Sequence, residues 1–207
     1  MTSPAKRPYR KRKRAQSEEE TRRRITEAAV ELHGTVGPAN TTVTDVAKRA
    51  GVSRMTVYNH FPTDTDLFVA CSGHWGARNP FPDPSEWSSI ADPSERLSVA
   101  LRDLHGWYRR NKGMLEKVFR DAPVVPSLGE LWGDMWGSYT AGVVRSLAEG
   151  WPIGTEDAPA LRAVLSVVID FPTWRSLIRS DLDAGQAAEL AADMVRGLVC
   201  LEEPGTG

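Results

Sequence analysis

Apolar positions in residues 42–61, TVTDVAKRAGVSRMTVYNHF, fall into two short helical stripes separated by a glycine. Val43, Val46, Ala47 and Ala50 recur three or four apart and share one helical face. Thr42 is placed to cap the free amide of Asp45 while Asp45 reaches back, a capping box with Asp in place of Glu. Gly51 supplies a left-handed stop, Val52 plugs the angle between the helices and Ser53 caps the second. In that second helix Val57 and Phe61 lie one turn apart and mark the buried side. At about 100° per residue this turns Met55, Thr56, Tyr58 and Asn59 outward, with Arg54 and His60 on the flanks. Two short helices held at a fixed angle by a tight turn make a helix-turn-helix.

The same periodicity organises the rest. A stripe of Ile25, Ala28, Ala29, Leu32 and Val36, in a helix starting at the acidic cluster 18–20, is expected to cover the helix pair. A fourth helix is expected over 64–75, then a loop over 79–93 with prolines at 80, 82, 84 and 93. Asp92-Pro93-Ser94-Glu95 reads as a second capping box, opening a helix with the stripe Leu97, Ala100, Leu101, Leu104, Trp107 and Tyr108; a separate short helix follows at 112–121. Ser127-Leu128-Gly129-Glu130 opens a longer helix, rich in aromatic residues along one face, with Gly150 as its stop. The last two helices are expected over 157–180, kinked at Pro172, and 183–202. The expectation is an all-α chain: an arm at 1–16, a three-helix helix-turn-helix domain at 17–62, and a larger helical domain at 63–207.

Charge sharpens this division. Residues 1–62 carry 13 Lys or Arg against 6 Asp or Glu, whereas residues 63–207 carry 13 against 21. A nearly neutral total therefore hides a basic first part and an acidic remainder, as expected when only the first part approaches polyphosphate. All seven Trp lie beyond Phe61, so core material is concentrated in the second part. Lys6, Arg7, Arg10, Lys11, Arg12, Lys13 and Arg14 have no apolar periodicity and are expected to form a disordered arm that enters a minor groove or tracks phosphates. The outward face of residues 54–60 combines groups that suit a DNA groove. Asn59 can pair with an adenine edge and Arg54 with a guanine edge, the carbons of Met55, Thr56 or Tyr58 can touch a thymine methyl, and His60 or the Tyr58 hydroxyl can reach phosphates.

The run G-V-S-R-M-T-V-Y-N-H-F, preceded by T-V-T-D-V-A and followed by a helix beginning D-T-D-L, resembles the tetracycline-repressor (TetR) family of transcriptional regulators over residues 22–68. The resemblance implies an all-α homodimer with a DNA-binding half and a C-terminal half for ligand binding and dimerisation. It implies DNA contacts from Thr44, Arg54, Met55, Thr56, Tyr58 and His60. Two positions depart from the family pattern. Asp64 stands where a phosphate-clamping Lys is usual, leaving the first-turn amides of that helix as donors, and His33-Gly34 stands where an aromatic residue often ends the first helix. The family's dimer interface is a four-helix arrangement of the final two helices, where Ala187, Ala188, Ala191 and Ala192 would allow close approach. Trp107, Met114, Trp132, Trp136 and Tyr139 are the candidates for a small-molecule effector pocket, although residues at such spacing also build ordinary cores. The expected function is ligand-responsive repression from a palindromic operator.

Competing readings have less behind them. A non-specific architectural DNA-binding protein shares the charge pattern but not the need for base discrimination. An enzyme with an incidental helix-turn-helix lacks a nucleophile constellation or a Gly-rich phosphate loop. Cys71 and His74 are only two potential metal ligands, and Cys71 and Cys200 read as reduced thiols, so no metal or cofactor is expected. With neither an export signal nor an apolar run of about twenty residues, the expected location is the cytoplasm, at the nucleoid, with no membrane partner.

Overall fold

The computed structural model describes residues 6–200, apart from the side chains of Lys6, Arg7, Pro8, Arg10 and Cys200. Every regular element among these residues is helical: α1 (Lys6–Thr35), a 3-10 turn (Pro38–Asn40), α2 (Val43–Ala50), α3 (Arg54–His60), α4 (Asp64–Arg78), α5 (Pro84–Trp87), α6 (Pro93–Asp121), α7 (Pro126–Leu147), α8 (Ala158–Val168), α9 (Phe171–Ile178) and α10 (Ala184–Cys200). They form two compact units. Among the described residues, one comprises 6–80 together with Glu116–Leu131, and the other comprises Phe81–Leu115 and 132–200.

This division differs from the expected boundary between residues 62 and 63. α4 belongs with the first unit because Leu67 and Cys71 join the core of Ile25, Ala28, Ala29, Val46, Ala47, Ala50, Val57 and Phe61. The end of α6 joins it through Asp121, which accepts from the Ala39 amide at 3.0 Å, and through Arg120, which donates to the Val36 carbonyl at 3.1 Å. Gly37 makes that approach possible: its φ is +96°, and a Cβ there would lie 2.5 Å from the Asp121 carboxylate. Val36 is 45% exposed and so leaves the stripe expected to cover the helix pair.

The expected disordered arm is instead the start of α1, from Lys6 onward. Pro8 falls in the first turn, where a missing amide costs nothing, and Lys, Arg, Ala and Gln are strong helix formers. Helical geometry spreads the charges around the axis and leaves Lys11, Arg12, Lys13 and Arg14 exposed. Arg14 donates to Glu18 one turn on at 3.0 Å, linking the basic segment to the acidic cluster. The Lys6, Arg7 and Arg10 side chains lie outside the described residues.

In the second unit, α5 occupies part of the expected loop and buries Trp87, whose indole donates to Asp103 at 2.9 Å. α6 is one helix rather than two, because Asn111, Leu115 and Val118 continue its buried stripe. α7 opens at Pro126, one residue before the expected Ser127, and its first backbone bonds run to the Val125 carbonyl. Pro172 interrupts rather than kinks the expected 157–180 helix. α8 stops at Val168, and Asp170 starts α9 by accepting from the Phe171 amide with Pro172 in the first turn. Ala187, Ala188, Ala191 and Ala192 are 0–3% exposed, so they pack inside this unit and cannot be the small residues of an outer interface.

Candidate DNA-contacting surface

The helix pair is held by caps at each end. Thr42 Oγ accepts from the Asp45 amide at 3.2 Å, and Asp45 accepts from the Thr42 amide at 3.1 Å and from its hydroxyl at 2.6 Å. The Thr42 hydroxyl, followed by its amide, holds the Asp45 carboxyl below the usual carboxylate range. Gly51 ends α2 in the left-handed region, φ 67° and ψ 39°, and Val52 donates back to the Ala47 carbonyl at 3.0 Å. Ser53 Oγ then accepts from the Thr56 amide at 3.0 Å to start α3. Val57 and Phe61 are 1% and 2% exposed, which fixes the rotation of α3 about its axis.

That rotation leaves Arg54, Met55, Tyr58 and Asn59 exposed. Thr44 is exposed on α2, whereas Thr56 and His60 are half-buried. The Thr56 hydroxyl lies 2.8 Å from Ser53 Oγ and is engaged in the start of its own helix. Six of the seven expected positions thus lie on or flank one surface of α3, and Thr44 comes from α2.

Two arginines absent from the expected positions complete the scaffold. Arg22 donates to the His60 carbonyl at 2.7 Å, and its guanidinium lies 4.2 Å from the Phe61 ring centroid, tying α1 to the end of α3. Arg24 donates to the Ala50 carbonyl at 3.3 Å, at the end of α2. Their signal in the sequence is the triple arginine at 22–24 abutting the buried Ile25.

The start of α4 is less open to phosphate than its amides alone imply. Thr63 and Asp66 form a second capping box, at 3.0 and 3.1 Å, that occupies the Thr63 and Asp66 amides, and the exposed Asp64 adds negative charge.

Four of the five aromatic-pocket candidates assemble in the second unit. Trp132 stacks on Trp136 at 5.4 Å, while Phe81 stacks on Tyr139 at 4.4 Å and meets Trp107 at 4.9 Å. Trp107, Trp132 and Trp136 are at most 9% exposed, Tyr139 is half-buried and donates to the Pro82 carbonyl, and Met114 is half-buried on α6. A cleft of about 800 Å³ between α7 and α8 is lined by Trp136 but by none of the other four, and carries Arg145, Arg162 and Asp170. Cys71 is buried, with its thiol directed at the Thr26 carbonyl, and no group of three potential metal ligands occurs among the described residues. No helix among them is long and apolar enough to cross a membrane.

Comparison with known proteins gives one kind of relative. The family of bacterial regulatory proteins, tetR family, matches residues 25–71. The transcriptional repressor KstR of Mycolicibacterium smegmatis is 25% identical over 193 residues, 88% of this chain and 90% of that protein. The transcriptional regulator AcrR of Shigella flexneri is 40% identical over 57 residues, 28% of this chain and 26% of that protein. Among solved structures, the multidrug binding protein EbrR, complexed with imidazole, superposes with a TM-score of 0.58 at 26% identity, covering 89% of this chain and 97% of that one. The capped helix pair, the all-helical body and these relatives together make the chain similar to DNA-binding transcriptional regulators of the TetR family, with the family match itself lying over residues 25–71.

Proposed function

We propose that the chain represses transcription by binding, as a homodimer, to a near-palindromic operator through the exposed face of α3, and that a small molecule held in the second unit releases it. The observation that carries this reading is the rotation of α3: burial of Val57 and Phe61 turns Arg54, Met55, Tyr58 and Asn59 together to solvent. Two such helices about 34 to 36 Å apart would read one side of the duplex. Thr44, Thr56 and His60 supply flanking contacts, Thr56 through its methyl group and the hydroxyl capacity that the Ser53 bond leaves.

Residues 11–14 lie on a helix about 10–12 Å across, too wide for a minor groove about 6 Å wide, so the basic segment is assigned to phosphate tracking. For self-association, α8 and α10 present Val167, Leu190 and Met194 at 43–53% exposure. This apolar surface takes the place of the buried alanines in the dimer proposal. The aromatic cluster and the cleft beside Trp136 are the proposed effector region, supported by volume and by the relative that binds imidazole. An effector that favours a DNA-incompetent state lowers operator affinity by its differential binding energy, typically about 1 to 3 kcal/mol.

Selection from random duplex DNA tests the central claim. The wild type should enrich a near-palindrome with a preference of about 10³ or more over random DNA at physiological salt. The double variant Tyr58→Ala, Asn59→Ala should lose that discrimination while keeping its helical signal. Unchanged discrimination would remove α3 from base reading, and binding without preference would favour an architectural protein.

A further inference from the structure

The first unit holds a small cavity of its own, about 220 Å³, apart from the effector region proposed above. Its lining includes His33, Val43, Val46, Leu67, Phe68 and Val125, drawn from α1, α2, α4 and the α6–α7 turn, together with polar residues of the turn before α2 and the start of α4. A dry apolar cavity of about 150 Å³ is enough to hold benzene, so this one accommodates a single ring with a small substituent.

Its polar equipment is specific. His33 is 6% exposed and faces Phe68 with ring centroids 5.3 Å apart, and the Asp121 carboxylate acts on its imidazole. Burial pulls the imidazole down to about 4 against the opposing pull of the Asp121 carboxylate, so the ring is neutral near pH 7 and offers one donor and one acceptor. Both lining hydroxyls are engaged: Thr41 donates to the Gly37 carbonyl at 2.8 Å, and the Thr42 hydroxyl is bonded to Asp45. A neutral imidazole on the wall of a space large enough for a ligand can give that ligand one hydrogen bond. Asp64 in the lining and Asp121 acting on the imidazole are both carboxylates, which disfavours an anion.

We propose that this cavity is a binding site for a small neutral or cationic aromatic molecule carrying one hydroxyl or ring N–H, with its ring against Phe68 and Val46 and its polar atom on His33. The site lies in the DNA-binding unit itself, and its walls include the start of α2.

Phenol is the probe, titrated into full-length protein with labelled methyl groups and histidine rings and followed by NMR. The expected result is saturable movement of the Val43, Val46, Leu67 and Val125 methyls and of the His33 ring, with benzoate, the same ring bearing a carboxylate, binding at least several-fold more weakly. His33→Phe, which keeps the ring packing but removes both nitrogens, should weaken phenol binding about tenfold, the equivalent of one hydrogen bond. Val125→Trp fills the space from the half-buried turn with His33 intact; it should also abolish binding, and it serves alone if His33→Phe does not fold. The proposal is overturned if phenol leaves those methyls unmoved, if only second-unit resonances respond, if folded variants bind as the wild type does, or if benzoate binds equally well.

Discussion

Arg96 lies 6% exposed in the second unit and spends its guanidinium on four backbone carbonyls: Ile90 at 2.9 Å, Ala91 at 3.3 Å, Ser146 at 3.2 Å and Glu149 at 2.9 Å. Two of these acceptors lie at the end of α7, where free carbonyls and the helix dipole favour a cation. Arg96→Ala should therefore cost about 3 kcal/mol or more, read from urea unfolding, and Arg96→Lys should recover only part because an ammonium cannot span the same fork. A loss within about 0.5 kcal/mol would show that water replaces the guanidinium. His33 and His105 make a second prediction at this scale. Burial lowers both to about 4, with Asp121 opposing at His33 and the Ala184 backbone opposing at His105. The unfolded chain, with histidines near 6.5, takes up protons first, so the stability gained by keeping them neutral is complete above about pH 6.5 and is lost as pH falls toward 4, up to about 3 kcal/mol for each. The urea midpoint should fall across that window, and His105→Gln should flatten the fall. The carboxylates of Asp45 and Asp66 in their capping boxes and of Asp121 beside Arg120, all held low, act in the lower window, below about pH 4.

The elements differ in how plainly the sequence announces them. α2 and α3 are legible because each signal is local: Thr42 with Asp45, Gly51, Ser53, and a buried residue one turn from another. The basic segment that opens α1 is open to misreading because charge density argues for disorder while Lys and Arg propensity argues for helix. The anchored turns from Ile25 onward supply a nucleus that an isolated segment lacks. Deleting residues 1–16 should flatten the slope of log affinity against log salt by about 0.9 for each phosphate that is no longer neutralised, four or five units if five cations engage. An unchanged slope would show that the segment is solvated and takes no part. Pro172 is legible as a disruption but not as a break, since that outcome depends on Asp170 being free to cap the next helix.

For the whole molecule, the apolar excess of the last helices is visible in the sequence, but not how it is shared out. The alanines of α10 are consumed within one chain, while Val167, Leu190 and Met194 remain outside. Replacing Val167 and Met194 together by Glu should weaken self-association by about a hundredfold or more, because two unpaired carboxylates would enter an apolar contact. Sedimentation would then show monomers, and operator affinity should fall with it; a variant that still sediments as a dimer would move the interface elsewhere. α6 and α7 each contribute residues to both units.

The sequence alone determined what depends on neighbours within a turn or two: the helical class, the caps, the helix-turn-helix and the outward face of α3. Local spacing and backbone chemistry suffice for those features. Only the tertiary structure decided which side chains spend their polar atoms where. It assigned Arg22 to the end of α3, Arg96 to the end of α7 and α4 to the DNA-binding unit, and it left His33 beside an open space. These outcomes join residues far apart along the chain, and periodicity carries no information about which distant surfaces meet.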